Sequence, residues 1–127
     1  MKQPITDPAL AKPSGAYSPG LRVGDWIFVS GQGPMDPKTG RVCGQTIEEQ
    51  TRQTLSNVKA ILEAAGASMD DCVKITAHLA DIRDFARYNK VYETFFRDPK
   101  PTRTTVQSGL LDILVEVDAI AYKPQGR

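Results

Sequence analysis

Three charged side chains stand where strand-forming sequence makes charge expensive. In PTRTTVQSGLLDILVEVDAIAY, residues 101–122, Arg103, Glu116 and Asp118 are interleaved with threonines and valines at the two-residue spacing of β-strands. Charged groups persist in such surroundings when they are paired or put to use. Arginine offers a planar fork of donors that fits a carboxylate, and a glutamate can take a proton from water or from a substrate. Together they suit a small carboxylate substrate. The same two residues also suit a structural ion pair across neighbouring strands, or charges that specify an oligomer interface, and the residues alone leave these readings open. Asp118, two positions after Glu116 and on the same side, reads as an interface or solvent charge.

To hold these groups, residues 101–122 must form two strands, read here as joined by a turn at Ser108 and Gly109. Alternation then places Thr104, Val106, Val115, Val117, Ala119 and Ala121 on one face, toward helices. Arg103, Thr105, Gln107, Leu114, Glu116 and Asp118 fall on the other.

Other residues invite chemistry less directly. Two glycines and a proline bracket Tyr17 in GAYSPG, a loop able to hold an aromatic hydroxyl in a fixed place, although the residues alone favour a tyrosine packed at the rim of the core. Gly31 and Gly33 suggest a phosphate cradle, but no GxGxxG or GxxxxGK[ST] is present and no helix starts directly after them. His78 is the single histidine, with no Ser, Cys or carboxylate beside it in sequence, and one ligand makes no metal site. Cys43 and Cys72 lack a CxxC and a second pair, so they read as free thiols.

The elements follow from periodicity. Residues 1–14, with Pro4, Pro8 and Pro13, predict an extended segment over the surface. Leu21–Val23 and Trp26–Ser30 flank Gly24-Asp25 as a hairpin, with Ile27 and Val29 facing opposite to Trp26, Phe28 and Ser30. Thr46 and Glu49 form a capping-box signature ahead of a helix whose apolar stripe runs from Ile47 through Leu55, Val58, Ile61 and Leu62 to a stop at Gly66. Its other face, including Gln53 and Asn57, reads as solvated surface. Val73, Ile75, Ala77 and Leu79 alternate as a strand. Asp81 caps a second helix whose stripe of Phe85, Tyr88, Val91, Tyr92, Phe95 and Phe96 reads as core.

The order β-β-α-β-α-β-β predicts an α/β (α+β) chain in which one mixed, twisted sheet carries both helices on a single face. The other sheet face, with Trp26, Phe28, Leu114 and Ile120, is too apolar to leave to water. A homo-oligomer would cover it, placing the charged residues in or beside clefts between subunits.

Length and composition fit one domain spanning residues 1–127. The chain is 40% hydrophobic and 24% charged with a net charge of +1, which gives no reason to expect nucleic acid as a partner. No apolar run approaches the ~18–20 residues of a membrane span, and the N-terminus has no apolar signal region, so a cytoplasmic protein is expected.

The sequence resembles the reactive intermediate deaminase family (RidA/YjgF). The likeness is carried by GAYSPG at 15–20, VSGQGPMDPKTG at 29–40, EEQTRQTLSNVKAILEAAGAS at 48–68, DFARYNKVYETFF at 84–96, PTRTTV at 101–106 and VEVDAIA at 115–121. The resemblance implies a chorismate-mutase-like fold, a homotrimer with sites between subunits, and hydrolysis of reactive enamines and imines to 2-oxo acids and ammonia without metal or organic cofactor. It implies that Arg103 grips the substrate carboxylate and that Glu116 orients the attacking water. Tyr17 would stand at the mouth of the site, with Ser30, Gly31 and Asn89 around the substrate. Thr105 stands where many relatives have cysteine, keeping a backbone carbonyl that can hold the water. The turn QSGLLDIL is shorter than the Leu-Pro-containing loop of the best-known deaminases, which implies a reshaped pocket rim. A different imine, a 2-aminomuconate-like substrate, or a non-catalytic carboxylate-binding regulator are the alternatives it leaves, and a nuclease fits poorly with the near-neutral charge.

Overall fold

A computed structural model describes residues 1–126. Six strands and two α-helices follow one another as β1 (Lys2–Pro4), β2 (Gly20–Val23), β3 (Trp26–Gln32), α1 (Ile47–Ala64), β4 (Cys72–Leu79), α2 (Phe85–Tyr92), β5 (Thr102–Gln107) and β6 (Val115–Tyr122). They form one mixed sheet in the order β1-β2-β3-β6-β4-β5, with both helices on one face. The expected element order is present with one addition, β1, which pairs antiparallel with β2 and brings Ile5 into the core. The N-terminal segment is therefore more than a surface strap, since Ile5 and Leu10 are both buried.

Local chemistry explains the elements. Thr46 Oγ1 accepts from the Glu49 amide at 3.1 Å and Glu49 Oε1 accepts from the Thr46 amide at 3.1 Å, which closes the capping box and starts α1. The helix ends at Gly66, whose φ of +82° lets the Ala67 amide reach the Leu62 carbonyl and the Gly66 amide reach that of Glu63. Between these ends Leu55, Val58, Ile61 and Leu62 are fully buried against β3 and β6, each contributing about 1.5–3 kcal/mol of apolar transfer. In the β2–β3 hairpin Ile27 and Val29 face this core while Trp26 and Phe28 point away, as alternation requires. Asp81 caps a 3-10 turn at Ile82–Asp84 that leads into α2, a correction to its expected place at the head of the helix itself.

The largest departure lies between β5 and β6. They are not a hairpin: β4 sits between them, parallel to β5 through the α2 crossover and antiparallel to β6. Residues 108–114 step over the end of β4, where the Ser108 amide bonds to the Leu79 carbonyl and the Ala80 amide to the Leu114 carbonyl. Alternation does not carry across such a link. Arg103 and Thr105 pair with Ile75 and Ala77 and share their helix-facing side, whereas Glu116 and Asp118 pair with His78 and Thr76 on the open side. Thr104 and Val106 are correspondingly exposed rather than core, and Leu114 packs against the core instead of joining the open face.

Candidate functional site

The residues singled out from sequence form two clusters. The first lies on the open face where β3 meets β6. Register runs from Val29 opposite Ala119 to Gln32 opposite Val117, so Ser30 and Gly31 together oppose Asp118 in a β-bulge. The bulge brings the β3 backbone under Glu116. A Cβ placed on Gly31 would stand 2.9 Å from Glu116 Cδ, so the absence of a side chain at 31 is what gives the carboxylate its seat. Ser30 Oγ donates to the Ser18 carbonyl at 2.6 Å and its amide bonds to the Pro19 carbonyl at 2.9 Å, fastening GAYSPG to β3. Tyr17 is thereby held beside the bulge, exposed and not packed at the core rim, with its hydroxyl accepting from the Ser14 amide at 3.1 Å. A cavity of about 420 Å³ opens here between Tyr17, Ser18, Leu21, Phe28 and Ser30.

The second cluster lies under the sheet between β5 and α2. Arg103 Nη1 donates to Asn89 Oδ1 at 2.7 Å, and its Cζ stands 4.5, 5.3 and 5.8 Å from the ring centres of Tyr92, Phe85 and Tyr88. Three π faces stabilise the cation without neutralising it. Among the described residues no carboxylate lies within ion-pair distance of this guanidinium, although Arg83, Arg87 and Arg97 all have one. The hydroxyls of Tyr88, Tyr92 and Thr105 are buried nearby without hydrogen-bond partners, and desolvation pushes the Tyr92 phenol up to about 12. Of the aromatic stripe, Tyr88, Val91, Tyr92 and Phe96 are core as their spacing implied, whereas Phe85 is exposed and Phe95 only partly buried; Phe85, Tyr88 and Tyr92 form the cage for Arg103.

The two clusters do not meet within one chain. Arg103 and Glu116 occupy opposite faces, on strands separated by β4, which removes the reading of a direct ion pair between them. Arg103, Asn89 and Thr105 come together, as do Tyr17, Ser30, Gly31 and Glu116.

Supporting residues escaped the pattern reading. Asn57, assigned to solvated surface, is buried and donates to the carbonyls of Gly33 and Met35 at 3.0 and 2.8 Å, pinning the loop that leaves the bulge. Gln50 is also buried, donating to the Gly44 carbonyl at 3.1 Å and accepting from the Leu114 amide at 2.8 Å, where the chain enters β6. Their only sequence signal is an amide next to an apolar stripe. His78, which has no partner close in sequence, has two in space, Ser108 and Asp118. Burial raises the Asp118 carboxyl above its ordinary 3.8, while His78 and Lys74 pull in the other direction. Cys43 and Cys72 are free thiols, and burial pushes Cys72 up to about 12, away from nucleophilic chemistry. Among the described residues no three His, Cys, Asp or Glu side chains converge as metal ligands would.

Comparison with known proteins gives one consistent answer. Residues 8–123 match the family described as Endoribonuclease L-PSP. A RutC family protein of Pyrococcus horikoshii is 47% identical over 125 residues, covering 97% of this chain and 99% of that protein. The 2-iminobutanoate/2-iminopropanoate deaminase of Salmonella typhimurium is 43% identical over 114 residues, covering 86% of this chain and 88% of the enzyme. Among solved structures, Escherichia coli TdcF with bound serine superposes with a TM-score of 0.89 at 37% identity, covering 95% of this chain and 98% of TdcF.

Proposed function

We propose, from the premise that this chain belongs to the Endoribonuclease L-PSP family, which includes the RidA/YjgF reactive intermediate deaminases, that it hydrolyses enamines and imines of the 2-aminoacrylate and 2-iminopropanoate class to 2-oxo acids and ammonia. The observation that carries this reading is the caged Arg103. A guanidinium held by three aromatic rings and Asn89, with no carboxylate of its own among the described residues, is a preformed seat for a carboxylate that arrives from outside. A relative crystallised with serine, a small amino acid, and another named for 2-imino acids favour the same ligand class.

The reaction asks little of the protein. The enamine tautomerises to the imine, whose protonated form is already electrophilic at C2. Arg103 holds the carboxylate, and Glu116 orients a water and accepts its proton as the C–O bond forms. Collapse of the carbinolamine breaks the C–N bond, releasing ammonia and leaving the 2-oxo acid. Tyr17 and Ser30 border the entrance, Gly31 keeps space for the glutamate, Asn89 fixes the arginine, and the Thr105 carbonyl offers the water an acceptor.

Because Arg103 and Glu116 stand on opposite faces two strands apart, one small substrate reaches both only if they come from different copies of the chain. The open face supplies a reason for copies to associate, since Trp26, Phe28, Val23 and Tyr122 expose 40–43% of their surface there. The reading is a homotrimer with sites between subunits. The test is to generate 2-aminoacrylate from serine with a dehydratase and follow pyruvate release. Acceleration by the wild-type chain that is lost in Arg103→Ala supports the assignment. Binding of a 2-oxo acid without acceleration across several amino-acid-derived imines overturns it in favour of a carboxylate-binding regulator.

A further inference from the structure

The helix layer carries a cavity that imine hydrolysis leaves unused. About 520 Å³ in volume, it lies between the polar face of α1, the turn before β4 and the segment that follows α2. It shares no lining residue with the Arg103 cage or with the Glu116 bulge. Both helices lie on one face of the sheet, so copies associating through the opposite, open face would not cover it.

Three cations line it from two elements. Arg52, Ser56 and Lys59 are exposed along one face of α1 at the i, i+4, i+7 spacing, and Arg97 comes from the segment after α2. Over seven residues a helix rises about 10 Å, a span that two long flexible side chains can close above the Ser56 hydroxyl between them. The carboxylate best placed in sequence to neutralise Arg52 is Glu48, one turn earlier, but Arg87 holds it through hydrogen bonds of 2.7 and 2.9 Å. Among the described residues neither Arg52 nor Lys59 has a carboxylate within ion-pair distance. Asp70 is the one acidic side chain of the lining and already faces Arg97 at 3.6 Å, which leaves three cations to one carboxylate.

The cavity also has an apolar wall on a fixed frame. Phe95 is partly buried against the core beside the buried Met69. Thr94 Oγ1 donates to the Val91 carbonyl at 2.6 Å, which holds the turn bearing that ring, and the Ser68 amide donates to Asp71 Oδ2 at 2.8 Å on the other side. A ring of phenylalanine beside arginine and lysine matches a flat molecule with a multiply charged end. A phosphate monoester carries nearly two charges and three acceptor oxygens, which suits several cations and a hydroxyl better than one carboxylate does. The volume falls within the roughly 300–1,000 Å³ of small-molecule sites, far more than an inorganic ion fills.

We propose that this cavity binds a small phosphomonoester carrying a planar ring, of the size of a nucleoside monophosphate. The phosphate sits between Arg52 and Lys59, and the ring lies against Phe95.

The test is calorimetric titration of the intact chain at low salt with adenosine 5′-monophosphate, and with ribose 5-phosphate and adenosine as its two halves. One saturable site per chain is expected, binding the monophosphate at least about tenfold more tightly than either half. Arg52→Gln and Lys59→Gln should each weaken it about fivefold or more, and Phe95→Leu should reduce it to the level of ribose 5-phosphate. Arg41→Gln, at an exposed position outside the cavity, should leave the affinity unchanged. So should Arg103→Ala, which removes the other open cation seat. Circular dichroism confirms that each variant keeps its fold. Absence of saturable binding, ribose 5-phosphate bound as tightly as the monophosphate, or affinities indifferent to Arg52 and Lys59 overturn the proposal. Loss of binding in Arg103→Ala overturns it as well, by assigning the phosphate to the caged arginine. Every readout is binding alone, so this site and the deaminase assignment can fail separately.

Discussion

Mixing two inactive chains should restore imine hydrolysis. Arg103→Ala removes the proposed carboxylate seat and Glu116→Gln the proposed base, and each alone should lower kcat/KM by about 100-fold or more. β5 and β6 lie two strand spacings apart, roughly 9–10 Å, with the two side chains on opposite faces. A three-carbon imino acid cannot bridge them, so under the proposed reading each site would take its arginine from one subunit and its glutamate from a neighbour. When the two variants are unfolded together in equal amounts and refolded, a site is intact if its arginine comes from the Glu116→Gln chain and its glutamate from the Arg103→Ala chain. Random assembly makes that about one site in four, so the mixture should recover about a quarter of wild-type activity in the dehydratase-coupled pyruvate assay. A control sharpens the count. Wild type refolded with an equal amount of a chain carrying both substitutions should also give about a quarter of full activity, whereas sites contained within one chain would give about a half. Recovery no greater than the sum of the two parents, or a control near one half, refutes the division of the site between subunits.

Four further outcomes follow from particular contacts. Gly31→Ala, whose Cβ would fall 2.9 Å from Glu116 Cδ, should cut kcat at least tenfold, while urea unfolding shows a loss below about 1 kcal/mol because a flexible side chain can yield. Gln50→Ala strips a buried link from Gly44 and the Leu114 amide and should cost about 1–3 kcal/mol in the same measurement. Tyr88→Phe deletes a buried hydroxyl that has no hydrogen-bond partner, so calorimetry should find stability unchanged or raised by up to about 1 kcal/mol. Burial raises the Asp118 carboxyl above 3.8, so the folded chain holds that proton more tightly than the unfolded one. Its stabilising effect is present below pH 3.8 and is lost as pH rises through the folded value, and the Tm difference between Asp118→Asn and wild type should therefore shift in favour of the asparagine over that interval.

Signals that act within one element were legible in the residues. The capping box at Thr46 and Glu49, the left-handed stop at Gly66 and the two faces of the β2–β3 hairpin are decided by neighbours a few positions apart, and each took its expected form. What escaped depends on residues far along the chain. β1 is three residues long and ends in proline, with no alternation to read, and only its pairing with β2 makes it a strand. Asn57 and Gln50 look like surface amides because periodicity registers apolar burial alone. They are buried by loops at Gly33, Met35 and Gly44 that fold back over α1, and they satisfy backbone groups which would otherwise be stranded. His78 looked solitary for the same reason, since Ser108 and Asp118 reach it only through the pairing of β4 with β5 and β6.

Placing Arg103 and Glu116 on one face was a wrong geometry, and the difference is informative. Strand alternation is reliable only while the chain stays in the strand, and the link at 108–114 resets it. Inserting β4 between β5 and β6 puts Glu116 near the centre of the sheet, over the Ser30–Gly31 bulge, and sends Arg103 to the edge, under α2. Had the two strands formed a hairpin, the arginine and glutamate would have been free to neutralise each other across it, and neither would be available to a ligand. Keeping them apart leaves a caged cation under one face and a carboxylate on the other, which under the proposed function would require a second copy of the chain to complete the chemistry. The exposed Trp26, Phe28 and Tyr122 fit that proposal, because they form an apolar surface on the same sheet face as Glu116, where a neighbouring copy would have to pack.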